Sequence, residues 1–267
     1  MKNVLEEIMA FKRQDVTRKK HLFPQAEFLK AAHFSRTVHS LKRALLTKGS
    51  GIIAEFKRQS PSQGAINTVA DVALVAKGYY QAGAVAVSVL TDAPFFGGSL
   101  DDLITARNVL PCPILRKDFI IDEYQVLESK YAGADAILLI ASALTPGQII
   151  SLAGCARQVG LEVVLEVHNA EELLAIKDAP VDIIGVNNRN LKTFQVSIET
   201  SIRLADLIPE SVVCISESGL ENPVEVIGLK RLGYNGFLMG QHFMEQPDPV
   251  MACSKFIQQL IQNEVSE

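Results

Sequence analysis

From residue 50 onward the chain repeats one unit eight times: a short run rich in Val and Ile, then a longer stretch with helical spacing. The runs are residues 51–57 (GIIAEFK), 84–90 (AVAVSVL), 113–119 (PILRKDF), 135–141 (DAILLIA), 161–167 (LEVVLEV), 182–187 (DIIGVN), 212–218 (VVCISES) and 236–240 (GFLMG). They recur at roughly the 20 to 30 residues that one strand–helix unit occupies. Several are apolar on both faces, as parallel strands buried between helices and a barrel interior must be. Strict alternation predicts an α/β protein, and eight units predict a closed (β/α)8 TIM barrel rather than an open doubly wound sheet. No glycine-rich nucleotide fingerprint follows any run, which weakens the open-sheet alternative.

Punctuation between the runs agrees. Residues 69–81 read as a helix with Val72, Val75 and Ala76 on one face and Gly83 as its stop. Thr145-Pro146 and Asn222-Pro223 place a capping side chain before a proline, the signature of a helix start. In QAGA, YAGADA and RLGYNG a helix ends at glycine and the next strand begins. Ahead of the first run lie residues 1–48, of helical character. Leu5, Ile8, Met9 and Val16 mark one helix, and residues 34–46 read as another. The expected organisation is a single domain, 1–267, with an N-terminal helical extension (1–48) on a barrel (49–267). That extension either caps one end of the barrel or contributes to a substrate site.

Net charge −4 and a pI near 5.8 argue against nucleic acid or an anionic membrane as partner, but leave a small anion open, since a few cations in a cleft suffice. Cys112, Cys155, Cys214 and Cys253 lack disulfide or metal spacing and read as reduced thiols. Glu6 and Glu7 interrupt the N-terminus, so it is no signal peptide, and the longest apolar stretch, residues 136–144, is too short to span a membrane. A cytoplasmic protein without metal or cofactor is expected.

Barrel enzymes build their sites at the C-terminal ends of the strands, where the unusual residues of this chain lie. Because strand side chains alternate, Glu55 and Lys57 share a face, and Lys117 shares one with Phe119, opposite Arg116 and Asp118. Glu166 is the one acid between Leu165 and Val167, while His168 beyond it reads as an ordinary loop histidine. Asn187 and Arg189 share a face suited to hydroxyl and anion recognition. Small residues at the seventh and eighth strand ends, including Ser218, Gly219 and Gly240, match the usual barrel phosphate site. The residues alone reach a sugar-phosphate lyase or isomerase.

With EFKRQSPS, LRKDF and NNRNL in that order, and VLEEIMAFKRQDV, SVLTDAPFFGGS, LEVH, SESGL and FLMGQHFM around them, nearly the whole chain resembles the indole-3-glycerol-phosphate synthases of tryptophan biosynthesis. That resemblance implies a cofactor-free conversion of 1-(2-carboxyphenylamino)-1-deoxyribulose 5-phosphate to indole-3-glycerol phosphate, with loss of carbon dioxide and water. It makes Lys117 the general acid at the ketone and Glu166 the general base of the later proton loss. Glu55 and Lys57 match a substrate-orienting pair that shares the acid role in dehydration. Asn187, Arg189 and Ser218 match contacts to hydroxyl and carboxylate groups. Gly219, Gly240 and Gln241 align with the phosphate loops, Ser60 with the entrance, and Phe96, Phe119 and Leu138 with the slot for the aromatic ring. Gln241 departs from the small or acidic residue often found there, and backbone binding of phosphate should make the change inconsequential. Proton donation by Lys117 is expected to rest on a pKa lowered by a neighbouring cation. The partner is a small sugar phosphate, and a monomer or weak homodimer is expected. Three rivals remain: a phosphoribosylanthranilate-isomerase-like barrel, which prefers a Cys/Asp pair; a Schiff-base aldolase using Lys117; and a non-catalytic binding barrel.

Overall fold

The computed structural model describes residues 4–47, 49–176, 179–191 and 193–265, so the expected boundary at residue 48 and the chain ends lie outside the described residues. The eight runs form β1 (Ile52–Phe56), β2 (Ala86–Leu90), β3 (Ile114–Lys117), β4 (Ala136–Ile140), β5 (Glu162–Val167), β6 (Ile183–Asn187), β7 (Val213–Glu217) and β8 (Gly236–Met239). Each pairs in parallel with the next, and β8 closes on β1 with Ile52 opposite Phe237. Val- and Ile-rich strands suit this setting because both their faces are buried.

Alternation along each strand divides the core in two. Ile52, Ala54, Phe56, Ile114, Val163 and Leu165 point outward and pack under the helices. Ile53, Leu115, Val164 and Ile215 point inward and form one layer of the barrel interior, with Leu138 and Leu238 packed among them. Leu41 and Leu45 of the short helix Leu41–Leu46 join the same interior cluster.

Helix boundaries follow side-chain caps. Thr145 and Asn222 each make a full capping box, with Gln148 and Glu225 reciprocating. The helix expected from residue 69 begins at Val72 instead, because the Asp71 side chain accepts the Leu74 N–H and so ends the preceding turn. The last helix runs Pro249–Val265.

The extension is only partly as expected. Its first helix, Val4–Leu22, buries Ile8, Met9 and Val16 along one face. Residues 34–46 do not form one helix. A 3-10 turn (Ala32–Ser35) gives way to extended chain before Leu41–Leu46. The extended part is tied across the sequence: Arg36 donates to Asp135 at 2.7 Å, and Ser40 donates to Glu162 while accepting from Arg43 N–H. Those bonds to the starts of β4 and β5 outweigh local helical preference.

Two helical glycines make the packing testable. A Cβ on Gly78 would meet Val250 Cγ2 at 2.3 Å, whereas one on Gly154 would meet nothing within 4 Å. Gly78→Ala should therefore destabilise by about 1–3 kcal/mol through overpacking. Gly154→Ala should stabilise by about 0.5–1 kcal/mol through helix propensity alone. Denaturant midpoints of the two variants check the opposite signs.

Candidate active site

The barrel interior is built in layers, with alternate strands supplying each layer. Beneath the mouth the even strands contribute Ser88, Leu138, Gly185 and Leu238. Above them the odd strands contribute Glu55, Lys117, Glu166 and Glu217, each two residues beyond an apolar inward neighbour. Where a barrel ordinarily places branched aliphatics, this one places four ionisable side chains.

Their geometry is tight. Lys117 Nζ lies 2.8 Å from Glu166 Oε2 and 2.9 Å from Glu217 Oε2. Lys57 Nζ lies 3.0 Å from Glu55 Oε1, and Ser88 donates to the other Glu55 oxygen at 3.3 Å. Space for the carboxylates comes from glycine. A Cβ on Gly185 would stand 2.5 Å from Glu217 Oε1, and one on Gly240 would stand 2.7 Å from Glu55 Oε1.

Burial alone would lower the Lys117 pKa, but Glu166, Glu217 and Glu55 outweigh it and hold the ammonium well above the ordinary range. The lowered pKa expected from the sequence is thus corrected: the close neighbours of Lys117 are carboxylates, not a second cation. Burial would raise Glu166, yet Lys117 and His168 together keep it well below the usual carboxylate range. Burial, opposed by Lys117 but reinforced by Glu166, pushes Glu217 up to about 7. His168 is no ordinary loop residue. Its Nε2 lies 3.3 Å from Glu166 Oε1 and its Nδ1 3.2 Å from Glu172 Oε2. Burial works against its charge, but the two acids raise it to about 10, so it is an imidazolium at neutral pH.

One wall of the cavity is aromatic. Phe96 and Phe119 face each other with ring centroids 6.0 Å apart, over Leu138, and Val4, Leu5 and Ile8 of the N-terminal helix complete the lining. The opposite side is polar. Arg189 donates to Gln241 Oε1 at 3.2 Å and to Ser62 Oγ at 3.4 Å. Ser218 and Gly219 follow β7 with φ of 69° and 70°, a left-handed pair in which Ser218 is strained. Asn188 holds the strained residue by donating to Ser218 O at 3.0 Å, while its own oxygen accepts from Ser201.

The family model described as indole-3-glycerol phosphate synthase matches residues 5–258. The chain belongs to the indole-3-glycerol phosphate synthase family. It is 47% identical to the indole-3-glycerol phosphate synthase of Bacteroides thetaiotaomicron, over 96% of this chain and 98% of that one. It is 42% identical to that of Caldanaerobacter subterraneus subsp. tengcongensis, over 92% and 94%. Among solved structures it resembles 3-hexulose-6-phosphate synthase from Salmonella typhimurium at a TM-score of 0.62 and 15% identity, covering 79% of this chain and 99% of that chain, which speaks to fold alone. As a member of the synthase family the protein is a carboxy-lyase of tryptophan biosynthesis, forming indole-3-glycerol phosphate.

Of the synthase site residues expected from the sequence, Glu55, Lys57, Ser60, Phe96, Lys117, Phe119, Leu138, Glu166, Asn187, Arg189, Ser218 and Gln241 all line this one cavity. Gly219 and Gly240 stand behind it, against Val196 and Glu55. The Gln241 side chain accepts from Arg189 at 3.2 Å and donates to Glu245 at 2.6 Å. Sequence reasoning missed Glu217. The signal was present: it lies two residues beyond inward Ile215, as Glu166 does beyond Val164.

Glu217 gives the synthase a testable pH signature. Below pH about 7 it is neutral and Lys117 and Glu166 form a balanced pair. Above it the cluster gains a negative charge that opposes an anionic substrate, so kcat/KM should fall as pH rises through this region. In Glu217→Gln that limb should vanish from the pH–rate profile, and an unchanged limb would assign the ionisation elsewhere.

Proposed function

We propose that Lys117, Glu166, Glu55 and Lys57 divide the three proton transfers of indole formation, on a substrate held by its ring at one wall and its phosphate at the other. The observation that carries this reading is the Lys117 ammonium, hydrogen-bonded to Glu166 and Glu217 beside the Phe96–Phe119 slot.

Ring closure needs the carboxylate-bearing aryl carbon pressed against the ketone, and fixing the two ends of the substrate achieves that. As the new carbon–carbon bond forms, the ketone oxygen becomes alkoxide-like and takes a proton from Lys117. A strongly basic alkoxide can accept a proton even from an ammonium of high pKa, and the fixed positive charge stabilises the developing anion. Carbon dioxide then leaves, its bonding electrons restoring the aromatic ring. Lys57, oriented by Glu55, donates a proton to the departing hydroxyl, and Glu166 removes one from the ring methylene. Two protons are given and one is taken, so one comes from solvent, matching the proton that decarboxylation consumes. The Glu166–Lys117 hydrogen bond offers the direct path for returning a proton to Lys117.

Arg189, Asn187 and Ser218 serve the substrate's hydroxyl and carboxylate groups, Gly219, Gly240 and Gln241 its phosphate, and Ser60 stands at the entrance. The extension and barrel act as one domain, since the N-terminal helix lines the cavity. A monomer or weak homodimer is the proposed working state. Four unpaired cysteines fit work in the cytoplasm. The Schiff-base alternative needs a neutral Lys117, which its carboxylate neighbours oppose.

Incubating the purified chain with the carboxyphenylamino-deoxyribulose phosphate should generate indole fluorescence. Lys117→Ala should lower kcat by about 10²–10⁴-fold with substrate still bound, and Glu166→Gln should fall in the same range. An active Lys117→Ala enzyme would remove the acid assignment, and a borohydride-trapped adduct at Lys117 would favour the aldolase.

A further inference from the structure

Lys12 sits on the N-terminal helix Val4–Leu22 and takes no part in the chemistry above, yet it is buried at 4% exposure. Burying an ammonium on a surface extension is unfavourable unless it is paired. Its Nζ lies 2.9 Å from Asp92 Oδ2 and 2.6 Å from Asp118 Oδ1. Both acids are themselves buried; Asp118 holds the backbone of Phe119 at the slot, and Asp92 that of Phe95, the neighbour of Phe96. Asp92 accepts the Phe95 N–H at 2.8 Å and so caps the four-residue helix Ala93–Phe96 that ends in Phe96. Asp118 accepts the Phe119 N–H at 2.8 Å and is also fixed by Thr91 and Arg116.

One ammonium therefore joins the two segments that carry the facing rings. The helix bearing it also forms part of the slot: Leu5 and Ile8, seven and four positions earlier on the same helical face, line the cavity. Phe11 packs edge-on against Phe95, centroids 6.1 Å apart. Lys12 is the one cation within ion-pair distance of Asp92 among the described residues. Without it Asp92 loses its cation while Asp118 keeps Arg116, so the tie between the two segments is gone and a desolvated Asp92 carboxylate is left at the join.

We propose that Lys12 is a positioning residue that sets the separation of Phe96 and Phe119, making the grip on the substrate's aryl ring depend on the docked N-terminal helix. This gives the extension a specificity role, because a ligand without the ring does not use the slot. The inference rests on the indole-forming reading of the cavity.

The test separates ring-dependent from ring-independent binding in the full chain. In Lys12→Met, KM for the carboxyphenylamino-deoxyribulose phosphate should rise about tenfold or more, with kcat changing by less than about threefold. The inhibition constant of ribulose 5-phosphate, which carries the sugar phosphate without the ring, should stay within about twofold of wild type. Lys12→Arg, which keeps the charge, should recover most of the loss. Should Lys12→Met fail to fold, Asp92→Asn removes one end of the bridge and should give the same split. An unchanged KM overturns the proposal, as does an equal loss for both ligands, which would mark Lys12 as a general structural tie. Wild-type protein that neither turns over nor binds the aryl substrate refutes the indole-forming reading instead.

Discussion

A lysine ammonium inside a barrel of valine, isoleucine and leucine has to be met by carboxylates, and most of the barrel mouth follows from that requirement. Lys117 takes Glu166 and Glu217, and Glu166 is further matched by His168, which is matched in turn by Glu172. Charges alternate along this chain from the barrel interior to the rim, so each buried group faces its opposite. The arrangement is tolerable in a weakly polar interior because Lys117 is hydrogen-bonded to Glu166 and Glu217 and His168 to Glu172, with an ion pair at 3.3 Å joining Glu166 to His168. It is also what a proton-transferring site needs: donors and acceptors already oriented, with little reorganisation left for the moment of reaction.

The other face of the same strand does a second task. Arg116, fully buried, donates to Asp118, Glu128, Thr91, Ser129 and the Gln125 carbonyl, binding β3 to the helix that follows it. Asp118 passes that connection to the N-terminal helix through Lys12. Period-two alternation thus places Lys117 and its structural support on opposite sides of one four-residue strand.

How much of this could be read from the chain depends on how local each signal is. The eight strands were legible because each carries its own apolar run, and the helix starts because Thr145 and Asn222 act within a few residues. Residues 34–46 were misread as a helix because what holds them extended is Asp135 and Glu162, each about a hundred residues away. The same limit explains Lys117. Parity placed it inside, but the sign of its pKa shift depends on Glu166 and Glu217, 49 and 100 residues further on. Glu217 went unassigned because what marks it out, its contact with Lys117, joins residues 100 positions apart. The contact of Gln241 with Arg189 was not legible because the two lie 52 residues apart.

Gly185 on β6 and Gly240 just past β8 leave the volume that the Glu217 and Glu55 carboxylates fill, each far in sequence from its acid. That couples their histories. A side chain at Gly240 would meet Glu55 as far back as its Cβ, at 2.9 Å, and one at Gly185 would displace the Glu217 carboxylate, while shortening either glutamate draws its carboxylate away from Lys57 or Lys117. Drift along either single-substitution route therefore disturbs one of these ion pairs. The two pairs should therefore change together or not at all, giving sequence comparison across the synthases a pattern of joint variation to look for.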